Sequence, residues 1–188
     1  MPDPRGPSSK IELRVLRGHR TATMRVEVDQ TAISLAMGDV MRHVHEALGK
    51  QSVKATSAPF ARYHALGPTV DFEAGVMVDE VVVPDGDVKP SSLPSGPAAI
   101  AVHAGPYESL SGTYEAIRKW LEASQDYVAN GGPWELYLTD PSAEPPSDAM
   151  VSCLQARVRA AHRSHRLRCR SPLQGAGSGG CCRGRRRQ

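Results

Sequence analysis

The residues with most chemical potential lie in Pro133-Trp134-Glu135-Leu136-Tyr137-Leu138. Side chains alternate across a strand, so Glu135 and Tyr137 share one face while Trp134, Leu136 and Leu138 share the other. The second face is wholly apolar and belongs in a core. The first joins a carboxylate to a phenol, a costly pair to bury and a useful one for gripping a ligand. A cation about 4 Å from such a carboxylate recovers ~4 kcal/mol at an effective dielectric near 20. Aromatic faces at Tyr63, Tyr107, Tyr137 and Phe72 would add cation–π contacts of ~0.5–2 kcal/mol each. The alternative is that Glu135 sits on a solvated sheet face and Tyr137 only covers the core. Trp134 alternates with Leu136, which assigns it to the core, and it is also kept among the candidate ligand contacts.

Other groups offer less. Asp71 and Glu73 share a strand face, and paired acids suit acid–base chemistry, but opposite Phe72 they read as a solvated face. His103 stands beside the Gly105-Pro106 turn and reads as structural rather than as a proton carrier. His43 and His45, two apart on a helix, point to different sides and cannot share a metal. Cys153, His162, His165 and Cys169 follow a C-x8-H-x2-H-x3-C spacing that fits no common zinc finger. No Ser-His-Asp spacing, phosphate-binding glycine loop or nucleotide fingerprint occurs, so neither metal nor cofactor is expected.

The elements that must position these residues follow from periodicity. Alternation predicts strands at 11–16, 21–28, 59–64, 70–78, 98–103 and 133–138. Met37, Val40, Met41, Val44 and Leu48 form one apolar stripe, which predicts a helix over about 33–48. Leu110, Tyr114, Ile117 and Leu121 repeat that period in a second helix, entered through Pro106 and fading by Asn130-Gly131-Gly132. The Pro-, Gly- and Ser-rich run 85–96 reads as a loop dividing the body. On either side the order repeats: strand, striped helix, Gly-containing break, then Pro-aromatic-x-x-Tyr, as Pro59-Phe60-Ala61-Arg62-Tyr63 and Pro133-Trp134-Glu135-Leu136-Tyr137. The fold class expected is therefore α+β. Two β-α-β-β units, at about 20–83 and 97–150, form an antiparallel sheet with both helices on one face and a groove between the halves. Tyr63 and Tyr137 would face each other there, while Glu135 breaks the symmetry against Ala61.

Composition splits the 188 residues in two. Residues 1–150 hold thirteen Lys and Arg against all twenty Asp and Glu, a net charge of −7, and all nine aromatics lie between Phe60 and Tyr137. Residues 151–188 carry ten arginines, no acid and all four cysteines. A body at 10–150 is thus expected between a disordered N-terminus at 1–9 and an Arg/Cys-rich tail. The tail should be disordered beyond about Val158, since ordering it would bury too little to offset its entropy. Its arginines lack interleaved aromatics, so specific nucleic-acid readout is not expected. No apolar run approaches the roughly 18–20 residues of a membrane span and no signal peptide is evident, so the expected location is cytoplasmic.

Four stretches, in order, resemble the gyrase-inhibitor-like (GyrI-like) small-molecule-binding domain. They are Pro59-Phe60-Ala61-Arg62-Tyr63-His64, Val70-Asp71-Phe72-Glu73-Ala74-Gly75-Val76, Val102-His103-Ala104-Gly105-Pro106-Tyr107 and Gly132-Pro133-Trp134-Glu135-Leu136-Tyr137-Leu138-Thr139-Asp140-Pro141. The same fold serves as the effector-binding domain of AraC-type and MerR-type multidrug regulators. The resemblance implies an aromatic-walled pocket in which an acid at the position of Glu135 meets lipophilic cations such as drugs or toxins. Some similar stand-alone proteins instead hydrolyse cyclopropane rings of DNA-alkylating natural products. For such a hydrolase Glu135 would activate water and Tyr63, Tyr107 or Tyr137 would give a proton. Only about 10 residues precede the first strand, so the helix-turn-helix half of a regulator is not expected, and a binding or sequestering role leads. The family's closing strand, with its apolar-Trp-Pro-apolar ending, has no match here. Residues 150–158 either supply it or begin an unrelated, altered-frame extension.

Overall fold

The computed structural model describes residues 10–105, 109–124, 126–138 and 151–160. Nine strands among them form one antiparallel sheet: β1 (Glu12–Leu16), β2 (His19–Asp29), β3 (Phe60–Ala65), β4 (Thr69–Met77), β5 (Val88–Leu93), β6 (Gly96–Ala104), β7 (Tyr127–Ala129), β8 (Trp134–Tyr137) and β9 (Val151–Ala160). The helices are α1 (Ile33–Gln51) and α2 (Leu110–Ala123). The spatial order is β1-β6-β9-β8-β3-β4-β2-β5, with β7 paired to β9. The fold is α+β and duplicated: β2-α1-β3-β4 is followed by β6-α2-β8-β9, and the order reads alike from either edge.

The apolar stripes explain the layering. Val40, Val44, Ala47 and Leu48 of α1 are buried against Ala22, Phe72, Ala74 and Val76 of the sheet. Ile117 of α2 packs with Ala99, Ala101 and Val158. α1 lies on β2, β4 and β5, and α2 on β6, β7 and β9, leaving the central β3–β8 pair between the two helices. A third cluster, Phe60, Leu93, Ala98, Ile100 and Trp134, fills the opposite face. Burying the Val, Leu, Ile and Phe side chains among these stabilises the fold by roughly 1.5–3 kcal/mol each.

The chain departs from the sequence reading in two elements and decides a third that the reading left open. The 85–96 stretch contains β5, which among the described residues is an edge strand paired with β2. Pro90 is tolerated there because an edge strand has a side that needs no amide donor. The second helix ends at Ala123, and Tyr127–Ala129 turns into β7 rather than a fading helix. The closing strand exists: β9 lies beyond residue 150, inside the segment that composition set apart as a tail, and bonds to β6 on one side and β8 on the other. Ladder hydrogen bonds on both edges, and Val158 buried among the α2 contacts, hold it despite the arginines around it. Residues 161–188 lie outside the described residues, as do 1–9. No described helix is long and apolar enough to cross a membrane.

Candidate functional site

β3 and β8 pair antiparallel with Phe60 opposite Leu136, Ala61 opposite Glu135 and Arg62 opposite Trp134. Superposing the two Pro-aromatic-x-x-Tyr segments exchanges these pairs, so the pseudo-twofold axis runs through Ala61 and Glu135. Tyr63 and Tyr137, two residues beyond the axis on each strand, reach back to it from opposite sides. The approach is close: a Cβ on Gly132 would stand 1.8 Å from the Tyr63 carbonyl oxygen. Glycine at that position lets the Tyr63 amide donate to the Pro133 carbonyl at 3.0 Å, which fixes the start of β8 against β3.

Glu135 is only 2% exposed. Its Oε2 accepts from the Tyr137 hydroxyl at 2.7 Å and more loosely from Tyr63 at 3.4 Å, and the two phenol oxygens are 3.5 Å apart. Its Oε1 accepts a short hydrogen bond from the Tyr114 hydroxyl. No ion pair among the described residues involves it. Burial pushes its carboxyl above the usual glutamate range, and the three phenol hydrogen bonds only partly oppose that. Tyr114 and Tyr137 hold their protons more tightly than a free phenol, first through burial and then through the neighbouring carboxylate. The result is a largely desolvated acid cupped by hydroxyl donors and aromatic rings.

The sequence candidates separate as follows. Glu135, Tyr63 and Tyr137 converge. Phe72 is fully buried with its ring centroid 6.0 Å from that of Tyr63, so it backs the site rather than lining an opening. Trp134 lies apart from them: it is 2% exposed on the opposite face with Phe60 and Ile100, because a strand cannot turn adjacent side chains to one side. Tyr107 lies outside the described residues. Tyr114 was missed. It belongs to the apolar stripe of α2, and the available signal was that a buried phenol needs a partner for its hydroxyl.

Of the paired acids, Glu73 departs from the expected solvated face. Glu73 is 6% exposed and accepts from Ser91, Thr23 and Arg62 at 3.0–3.2 Å, with His64 at 3.4 Å. Its partners stand on the neighbouring strands, so it ties β3, β4, β2 and β5 together. Asp71 pairs with Arg25 through both carboxylate oxygens. His103, 1% exposed, contacts Thr113 Oγ1 through Nδ1 at 2.8 Å and Ser109 Oγ through Nε2 at 3.3 Å, linking β6 to the start of α2. Among the described residues no group of three His, Cys, Asp or Glu is placed to hold a metal. The Cys153, His162, His165 and Cys169 spacing falls outside them from His162 onward. Two surface hollows lie elsewhere, one between α1 and the 85–88 turn and one beside β5, and neither includes Glu135.

A comparison with curated protein sequences finds no match. Solved structures do match in fold. The EcmrR C-terminal domain is 19% identical with a TM-score of 0.73, over 82% of this chain and 99% of that one. EcmrR in a complex with DNA is matched over 58% of its length, so this chain spans little more than half of that protein. A hydrolase from Listeria innocua is 14% identical with a TM-score of 0.56, over 82% of this chain and 94% of that one. SAV2435 bound to tetraphenylphosphonium is 13% identical with a TM-score of 0.56, over 80% and 94%. At these identities the likeness establishes the fold alone. Residues 23–153 match the model of the GyrI-like small molecule binding domain, and the chain belongs to that family.

Proposed function

We propose that this chain binds small lipophilic cations in the groove between α1 and α2, with Glu135 as the counter-charge. One observation carries the reading. Glu135 is a carboxylate 2% exposed at the junction of the halves, and among the described residues its hydrogen-bond partners are hydroxyls rather than cations. A buried charge without a counter-ion costs several kcal/mol, and a ligand cation about 4 Å away offsets ~4 kcal/mol at an effective dielectric near 20. The rings of Tyr63, Tyr114 and Tyr137 supply cation–π faces around it. Binding of tetraphenylphosphonium by SAV2435 supports the ligand class. Such a module would act as an effector-binding or sequestering element.

Titration calorimetry with tetraphenylphosphonium and with tetraphenylborate, an anion of the same shape, tests the reading. Tetraphenylphosphonium is expected to bind at least about tenfold tighter, a difference of ~1.4 kcal/mol. Glu135→Gln is expected to abolish the preference, and equal binding of the two ions by the native chain overturns the proposal. A hydrolase reading draws on the Listeria innocua hydrolase and on the carboxylate–phenol pair at 2.7 Å. Tightly held phenol protons make Tyr114 and Tyr137 poor general acids, which favours binding. Ring-opened product from a cyclopropane-bearing alkylator, absent with Glu135→Gln, would reverse that order.

A further inference from the structure

The sheet ladders give the equivalences between the halves. On one side of the axis Ala61 pairs with Ala74, which pairs with Met24. On the other Glu135 pairs with Leu154, which pairs with Ala101. Met24 therefore corresponds to Ala101, and two residues further along each strand Val26 corresponds to His103. Aligning the apolar stripes Met37-Met41-Val44-Leu48 and Leu110-Tyr114-Ile117-Leu121 sets the buried Val40 and Val44 against the buried Thr113 and Ile117. The residues next to the first of each pair, Met41 and Tyr114, therefore correspond too.

At these four positions the second half is polar and the first is not. Glu135, Tyr114, His103 and Thr113 stand where the first half has Ala61, Met41, Val26 and Val40. The polar four form two hydrogen-bonded pairs, Tyr114–Glu135 and His103–Thr113. Ala61 and Val40 lie in one apolar cluster, with Val26 and Met41 packed against it. Met41 and Tyr114 are both partly exposed. The acids of α1, Asp39 and Glu46, both pair with Arg42.

We propose that the groove accepts its ligand in one direction: the cationic end at Glu135 under Tyr114, the apolar body across Ala61 and Met41. This rests on the cation-binding reading and narrows the ligand class to amphipathic monocations charged at one end. A dication of the same length would set its second charge on the α1 wall, where an unpaired charge is costly.

Decyltrimethylammonium and decane-1,10-bis(trimethylammonium) share a chain and one head group and differ in the second charge. Calorimetric titration of the full chain, below the micelle concentration, is expected to show the monocation binding at least about tenfold tighter. Met41→Glu, at a partly exposed helix position, puts an acid on the apolar wall and should shift that ratio at least about tenfold toward the dication. Equal affinities in the native chain overturn the orientation, with no need of a variant. An unchanged ratio in folded Met41→Glu also overturns it. If the native chain binds neither cation, or Glu135→Gln binds both as the native chain does, the cation-binding reading fails and the orientation falls with it.

Discussion

Replacing Glu135 by glutamine keeps the side chain's shape and an oxygen that accepts from the tyrosines, while removing the charge. In the folded chain the carboxyl holds its proton above the usual range, because burial outweighs the three phenol hydrogen bonds. In the unfolded chain it titrates near its ordinary value of 4.5. Between those two values the folded state binds the proton and the unfolded state does not. Stability is therefore full below pH 4.5 and falls as pH rises through the window, by up to about 1.4 kcal/mol per pH unit for one proton. The fall stops once pH exceeds the raised folded value. The glutamine variant lacks this loss, so its stability minus that of the native chain should grow with pH above 4.5 and then level off. Urea unfolding of both proteins from pH 4 to 8, without ligand, measures the difference, and titrations of groups that do not interact with Glu135 cancel. Parallel curves would show that Glu135 is not desolvated as described. A difference growing toward low pH would mean that the hydroxyls outweigh burial.

Three further outcomes follow from the geometry. Tyr114→Phe removes the donor to Glu135 Oε1, a charge-assisted bond of ~1.5–3 kcal/mol, and should raise the Glu135 titration midpoint, read by carboxyl carbon chemical shift in a labelled protein; an unmoved midpoint would refute the contact. Gly132→Ala forces a Cβ against the Tyr63 carbonyl oxygen and should cost at least about 2 kcal/mol in urea unfolding, because the neighbouring atom is backbone and cannot yield cheaply. Trp134→Ala empties a core site on the other face and should cost ~3–5 kcal/mol, while the folded fraction keeps its preference for tetraphenylphosphonium over tetraphenylborate. Loss of that preference would return Trp134 to the ligand contacts.

Much of the site was legible because alternation is local. Two-residue spacing alone placed Glu135 with Tyr137, and the repeated Pro-aromatic-x-x-Tyr placed Tyr63 against them. The same rule placed Trp134 on the opposite face, where it packs with Phe60 and Ile100. Tyr114 stayed hidden because helical periodicity reports only which side is buried, and its ring fits an apolar stripe. Its hydroxyl finds a partner 21 residues along the chain. Glu73 illustrates the other limit: its face was read from alternation, but what covers that face comes from Ser91 on a strand masked by Pro90 and two serines. β9 was obscured by arginines, since composition averages over the very residues whose backbone closes the sheet.

The duplication has a consequence for how an acid can occupy this position. In an assembly of two identical β-α-β-β chains, the residue on the axis faces its own copy. Glu135 would then meet a second carboxylate across the antiparallel pair, with Cβ atoms roughly 5 Å apart, and each would oppose the other's ionisation. A single continuous chain is free of that obligation. It can keep alanine on one side and glutamate on the other, because mutation of one copy no longer changes both. The stretch containing β5, which joins the halves, therefore does more than complete an edge: covalent linkage is what allows one acid to stand at the centre of a nearly symmetric fold.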